Sequence, residues 1–361
     1  MNYFGTTGLP ETEYPYPIYS AYHPWDGGDT VTRLPLLIDR LKPDVVVFLN
    51  DPWNIPGYQH YYEQIREGGH RPLFIAWLAV DSRNQKAEHL NRLDHVVVWS
   101  QFAVDELRKG GYSGPISVIP LGVNGELFRP LDRADCRAKI CPQLSPDAYI
   151  VGYVGRNQPR KRIDLLIEYF AEWVHSRPDQ HENTHLLLHL SPTGEMGCDV
   201  ESLAKWYGVG KRVLVSRAVT GQITDSSLLP LIYGAMDVFM TTSQAEGFCL
   251  PVLEAMACRI PCIVPDWAAF NAETGCFPAS SLVRVPCASV ALTAPTNGSM
   301  TGPWTLGGVM AKEEAVTALE MVYRGHPAVQ HVVKLGEKVA RYLTWERCGE
   351  TFTQLLEKVA R

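Results

Sequence analysis

Short, nearly continuous apolar runs recur along the chain, at residues 45–49, 73–80, 96–99, 116–119, 150–154, 186–190, 213–215, 238–240 and 260–264. Runs of this length without polar alternation are what parallel strands need when both sheet faces are covered. Between many of them apolar residues return every three or four positions, over residues 162–175, 226–236 and 251–258. That is the period of a helix with one buried face, and strands alternating with such helices predict an α/β protein built on parallel sheets.

The pattern breaks in two places. Between Val123 and Asp147 lie Gly125, Pro130, Pro142 and Pro146, preceded by Pro120 and Gly122, before a fresh strand opens at Tyr149. Helices and strands both end at such residues, so the chain is predicted to divide there, into an N-terminal domain (1–135) and a second domain (148–336). Residues 337–361 have helical periodicity through Val339, Leu343, Phe352, Leu355 and Val359 and are expected to form one or two closing helices. The opening differs: residues 1–29 carry seven aromatic residues and no strand-like run, whereas a ligand-binding α/β domain usually begins with a strand and a glycine-bearing turn.

Composition narrows the function. At 361 residues, two domains of ordinary size are the simplest reading. Lys+Arg 33 against Asp+Glu 39 gives a net charge of −6, without a basic block, which argues against nucleic acid as a partner. No apolar stretch has the length of a membrane span, and the N-terminus is not signal-like, so a soluble, cytoplasmic protein is expected. The nine cysteines are scattered and odd in number, which fits a reducing compartment and small buried hydrophobes. Cys136/Cys141 and Cys258/Cys262 lack histidines at metal spacing, as do His60, His70, His89 and His95, so no metal is expected.

Two segments carry chemistry. Residues 243–267, SQAEGFCLPVLEAMACRIPCIVPDW, follow a strand and enter a helix with Pro251 near its first turn. The backbone N–H groups of Gly247, Phe248, Cys249 and Leu250 would face out of that helix start, where the macrodipole favours an anion such as a diphosphate. Glu254, one turn in, can accept hydrogen bonds from two ribose hydroxyls, although acidic residues in a first helical turn also serve simply to complement the dipole. Glu246, before the helix, can reach a sugar beyond the phosphates. In residues 150–164, IVGYVGRNQPRKRID, a buried strand ends at Gly155 and is followed by Arg156, Arg160, Lys161 and Arg162. Cations at a strand's carboxyl end can stabilise charge on a departing phosphate; the alternative is a solvated helix start.

Together these segments resemble glycosyltransferase family 4 of the GT-B fold: the Glu-x7-Glu pair Glu246 and Glu254, the loop GRNQPRKRID, then SQFAVDELRKGGY, ISVIPLGVNGELFRP and TWERCGETF, in order over about residues 44–361. The resemblance implies two Rossmann-like domains facing a cleft. It implies a retaining, hexosyltransferase-like enzyme that moves a sugar from a nucleoside diphosphate sugar to a hydroxyl acceptor (a glycan, lipid, protein or small molecule), without a metal or other cofactor. Carried over by position, Arg156 and Lys161 bind the pyrophosphate, Glu246 the transferred sugar and Glu254 the ribose. Gly155, Gly247, Phe248, Cys249 and Leu250 complete the donor site.

The chain also departs from the family. The glycine-rich loop after the first strand has no counterpart, and a first strand, helix and second strand look absent, so the first domain reads as truncated. Asp81 stands where many members have a cleft histidine; it either contacts sugar or acceptor or caps a following helix. Asn50 and Asp51, with Trp53, either line the acceptor cleft or form an ordinary turn. Ala268 and Ala269 replace a Gly-Gly pair. Two alternatives to a transferase therefore stand: a sugar-nucleotide epimerase or glycoside phosphorylase of the same architecture, and a non-catalytic homologue or subunit that binds nucleotide sugar.

Overall fold

The computed structural model describes residues 3–5, 16–20, 34–190, 197–216, 226–293 and 305–360. Near the start, β1 (Tyr3–Gly5) and β2 (Ile18–Ser20) pair in parallel as a separate two-stranded sheet. The opening thus contains strands that its sequence did not announce, because three residues are too few for periodicity to register.

Four parallel strands, β3 (Val45–Asn50), β4 (Leu73–Leu78), β5 (His95–Val98) and β6 (Ile116–Val118), form the first large sheet in the order β3-β4-β5-β6. Successive side chains of a strand point to opposite faces, and the core divides accordingly. Phe74, Ala76 and Leu78 pack with Leu34 and Ile38 of α1 (Leu34–Leu41), Tyr62 and Ile65 of α2 (Pro56–Glu67), and Ala103 and Leu107 of α3 (Gln101–Lys109). Ile75 and Trp77 face the other way, onto residues from the far end of the chain.

The second sheet has six parallel strands, β7 (Tyr149–Val154), β8 (Thr184–His189), β9 (Val213–Val215), β10 (Val238–Met240), β11 (Cys262–Pro265) and β12 (Val283–Val285). Their order is β12-β11-β10-β7-β8-β9, a doubly wound arrangement in which the winding reverses between β7 and β10. The helices of this half are α4 (Arg133–Ile140), α5 (Ile163–Ser176), α6 (Val200–Trp206), α7 (Leu229–Ala235), α8 (Leu250–Ala257) and α9 (Lys312–Tyr323). A hairpin the sequence did not reveal, β13 (Cys287–Leu292) with β14 (Leu306–Met310), runs antiparallel beside them.

The closing helices number two, α10 (Pro327–Tyr342) and α11 (Trp345–Val359), and they start ten residues earlier than expected. Pro327 in the first turn and the His326 side chain, which accepts from Ala328 N–H, mark that start. Helix α11 crosses back to the first sheet, where Phe352 stacks on Trp77 at 4.7 Å and Cys348 and Leu355 are buried with Ile75 and Val97. The first sheet's second face is therefore closed by the end of the chain, and the two halves are bound into one unit.

The return depends on a close backbone approach. Val123 N–H donates to Leu343 O at 2.9 Å, and beside it a Cβ on Gly122 would lie 2.1 Å from the carbonyl carbon of Thr344. Only glycine fits. Gly122→Ala should lower stability by about 1–3 kcal/mol through overpacking. Gly125→Ala, three residues on where nothing lies within 4 Å of the new methyl, should leave it within about 0.5 kcal/mol. Urea denaturation of the two variants checks the contrast.

Candidate functional site

Because β7 and β10 are neighbours whose connections leave in opposite directions, a crevice opens at their carboxyl ends. The loop after β7 passes Gly155 and the exposed Arg156, then is anchored by buried Asn157, whose Nδ2 donates to Cys198 O at 2.8 Å. A single turn at residues 159–161 ends at Arg162 in the left-handed region, with φ 51°, before α5 begins. The loop after β10 holds this turn in place. Gln244 N–H donates to Arg160 O at 2.8 Å, and the Thr242 hydroxyl donates to Arg162 O at 2.7 Å.

That stitching brings opposite charges together. Lys161 Nζ donates to Glu246 Oε1 at 2.5 Å, while Arg160 Nη1 donates to Ala245 O at 2.6 Å and lies 3.5 Å from Glu246 Oε2. Glu246 is buried, with 6% of its surface exposed. Burial by itself would push its carboxyl up, but the charges of Lys161 and Arg160, with hydrogen bonds from Lys161 and Ser243, outweigh it and hold the group below the ordinary glutamate range. Glu246 is thus a charged acceptor in a nearly dry setting.

Helix α8 begins at Leu250, with Pro251 in its first turn, after Cys249 in the left-handed region at φ 72°. Glu254 stands one turn in and accepts from the Tyr233 hydroxyl at 2.6 Å. Burial raises its pKa, and the tyrosine's hydrogen bond works the other way. Gly247 and Phe248 lie against the first sheet's side: a Cβ on Gly247 would meet the Trp99 ring at 2.7 Å, and Phe248 meets Trp99 edge-on at 6.4 Å between centroids. Ala268 is left-handed, at φ 49°, which suits the glycine expected there, and Ala269 N–H donates to Glu246 O at 3.1 Å.

On the facing side, the residues at the ends of β3 and β4 separate into two kinds. Asn50 is a turn builder: its Oδ1 accepts from Asp51 N–H and Asn54 Nδ2, both at 2.8 Å, and its Nδ2 donates to the Tyr58 hydroxyl at 3.3 Å. Its side chain folds the loop. Asp51 caps nothing. Desolvation pushes its carboxyl up to about 6, nearby Asp81 adds to the rise, and Arg160 across the crevice opposes it. Asp81 accepts from the Ser82 hydroxyl at 2.8 Å, and no helix follows for it to cap, because the next helical turn starts at Glu88.

Several contributors were not singled out from sequence. Arg160 lies within the cation run, but the resemblance maps the phosphate contacts to Arg156 and Lys161. Tyr233 and Trp99 reach the site only through tertiary packing and carry no local signal. The same holds for Arg83, which clips the halves together: its N–H donates to Leu306 O at 2.9 Å, Leu306 N–H returns a bond at 3.0 Å, and its guanidinium lies 4.3 Å from the Trp267 ring centroid. Among the described residues, no group of three or more His, Cys, Asp or Glu side chains is placed to hold a metal, and no helix is long and apolar enough to cross a membrane.

Known proteins resemble this chain in part of its sequence and in its fold. Residues 139–275 match the family described as glycosyl transferases group 1. D-inositol 3-phosphate glycosyltransferase 2 of Catenulispora acidiphila is 30% identical over 157 residues, 43% of this chain and 35% of that one. D-inositol 3-phosphate glycosyltransferase of Segniliparus rotundus is 33% identical over 155 residues, 41% and 31% of the respective chains. The chain spans about a third of the length of these curated relatives. Among solved structures, sucrose-phosphate synthase from Thermosynechococcus elongatus aligns with TM-score 0.66 at 21% identity over 94% of this chain and 80% of that one. A glycosyltransferase from Rickettsia africae aligns with TM-score 0.69 at 12% identity, over 96% and 86%. An Anabaena protein in complex with UDP and glucose aligns with TM-score 0.67 at 14% identity, over 95% and 86%. The fold is GT-B.

The raised carboxyl of Asp51 gives a signed prediction. A carboxylate that titrates higher in the folded than in the unfolded chain costs nothing below its unfolded value near 3.8 and its full penalty above its folded value near 6. Asp51→Asn should therefore stabilise the protein at pH 7.5, by about 1–2 kcal/mol, and leave it unchanged at pH 3.5. Denaturation curves at the two pH values check this, and equal effects at both would contradict it.

Proposed function

We propose that this chain, whose residues 139–275 carry the group 1 glycosyltransferase module, is a retaining glycosyltransferase that moves a sugar from a nucleoside diphosphate sugar to a hydroxyl acceptor. The observation that carries this reading is the meeting of Lys161, Arg160 and Glu246 at the winding reversal, with the start of α8 and Glu254 beside them.

Each part has a role in that reaction. Arg156 and Lys161 neutralise the two phosphates, and Gly247, Phe248, Cys249 and Leu250 bring the donor close to the backbone at the positive end of α8. Gly155 lets the β7 loop approach. Lys161 leaves Glu246 for the phosphate, which frees the Glu246 carboxylate to accept hydrogen bonds from the transferred sugar. Glu254 accepts from the ribose hydroxyls, in exchange for its bond from Tyr233. The anomeric C–O bond to the diphosphate breaks, negative charge grows on the leaving oxygens, and fixed cations stabilise that charge more than the ground state. The acceptor oxygen attacks from the same face, and its proton passes to a departing phosphate oxygen. No protein nucleophile, metal or cofactor takes part in this scheme. A cytoplasmic setting, where thiols stay reduced, fits the nine free cysteines.

A second reading is a subunit that binds nucleotide sugar without transferring it. Donor binding with neither transfer nor slow donor hydrolysis would select it. An epimerase or phosphorylase is separated by asking whether free nucleoside diphosphate accumulates only when an acceptor is present.

A thermal-shift panel of nucleoside diphosphates and their sugars should find one that stabilises the chain, by about 2.7 kcal/mol at 100 times its dissociation constant. With that donor, Lys161→Ala and Glu254→Ala should each cost about 2–4 kcal/mol in kcat/KM, a loss of roughly 30- to 1,000-fold. Wild-type kcat/KM in both variants would refute the assignment.

A further inference from the structure

Strand β14 pairs with β13, and three elements that frame the crevice bond to it as well. Leu306 exchanges both of its backbone bonds with Arg83 of the first half, at 2.9 and 3.0 Å. Further along, Gly308 N–H donates to Gln244 O at 3.0 Å, and Gln244 N–H donates in turn to Arg160 O. At the end of the strand, Met310 O accepts from the Tyr169 hydroxyl of α5 at 2.7 Å. Backbone groups of an antiparallel strand point to alternate sides, so Leu306 and Gly308 face outward together and leave the ladder to β13 to their neighbours.

Successive glycines allow this. Gly307 and Gly308 weaken a strand by themselves, and glycines so placed mark where other groups come close. A Cβ on Gly307 would lie 2.7 Å from Gln244 O, and one on Gly308 would lie 2.8 Å from the Trp267 ring. The loop that carries Glu246 therefore rests directly on β14, and the same strand holds the loop after β4 through Arg83. Donor binding needs only the first of these loops. Transfer also needs the two sides of the crevice held together against water, and a misplacement of about 1 Å can cost on the order of 100-fold in rate.

We infer that Leu306 and Gly307 are positioning residues. Through its outer edge β14 sets the first half against the donor loop, so that transfer depends on the Arg83–Leu306 pair and donor binding on the contact of Gly307 with Gln244. The inference rests on the transferase reading above, and it adds two residues that act through others.

The test uses the whole chain and whichever of UDP-glucose, ADP-glucose and GDP-mannose stabilises it most. Nucleoside diphosphate release is followed with water alone and with glucose 6-phosphate, fructose 6-phosphate and inositol 3-phosphate as acceptors. Leu306→Pro removes the N–H that donates to Arg83 O, at an outward position where the ladder to β13 loses nothing. Leu306→Ala removes the same side chain and keeps the N–H. Relative to the alanine variant, the proline variant should lower kcat by about tenfold or more, while donor affinity changes by less than about twofold. Gly307→Ala should act at the other end: its methyl displaces Gln244, and donor affinity falls by about tenfold or more. Where Leu306→Pro fails to fold, Arg83→Pro against Arg83→Ala breaks the same pair from its other side. Equal kcat in the proline and alanine variants, a matching loss of donor affinity in the proline variant, or a folded Gly307→Ala chain with wild-type donor affinity would each overturn the inference. A wild-type chain that binds none of the nucleotide sugars, or binds one and never releases the diphosphate, would instead sink the transferase reading, and the inference with it.

Discussion

The site depends on a buried ion cluster that joins two loops of the second sheet. Glu246 belongs to the loop after β10, and Lys161 and Arg160 belong to the loop after β7. Burying a carboxylate at this depth is costly unless cations and donors surround it, and here they do so well enough to lower its pKa. The backbone bonds from Gln244 to Arg160 and the side-chain bond from Thr242 to Arg162 make the same joint. Neither loop can move without breaking the other's contacts. A preformed, charged crevice is what electrostatic stabilisation of a leaving group requires, since the dipoles need not reorganise during reaction.

Closure of the cleft follows from contacts close to that cluster. Gly247, next to Glu246, abuts Trp99 of the first half, and Phe102 N–H donates to Thr274 O at 2.7 Å. Phe102 also packs with Trp267, over which Arg83 lies, and Arg83 is paired with Leu306 of the hairpin. Far from the crevice, α11 covers the first sheet, and the close approach at Gly122 fixes where the chain crosses back. Helix α11 acts as the tether, and the Trp99, Phe102 and Arg83 contacts hold the first half against the second.

Most of the second sheet was legible in the sequence because strands buried on both faces have to be apolar throughout: residues 150–154, 186–190 and 238–240 mark β7, β8 and β10 to within two residues. The cation run and the glutamate pair were legible for a related reason, since charge at the end of such a strand has no role in the core. What escaped notice has physical causes. Strands of three residues, as in β1 and β2, show no period, and the β13–β14 hairpin is half-exposed with glycines at 307 and 308. Asn50 and Asp51 are neighbours of similar character, and only the hydrogen-bond pattern separates the turn builder from the carboxylate that burial raises. Tyr233 meets Glu254 across 21 residues, a distance no local pattern spans.

In the proposed reaction the ion cluster exchanges its internal carboxylate for the donor's phosphates. A crystal structure of the chain with a nucleoside diphosphate sugar tests it most directly. Phosphate oxygens are expected within hydrogen-bonding reach of Lys161 Nζ and Arg156, with the ribose hydroxyls on Glu254 in place of Tyr233. Phosphates bound elsewhere, with Lys161 still on Glu246 and Tyr233 still on Glu254, would contradict it.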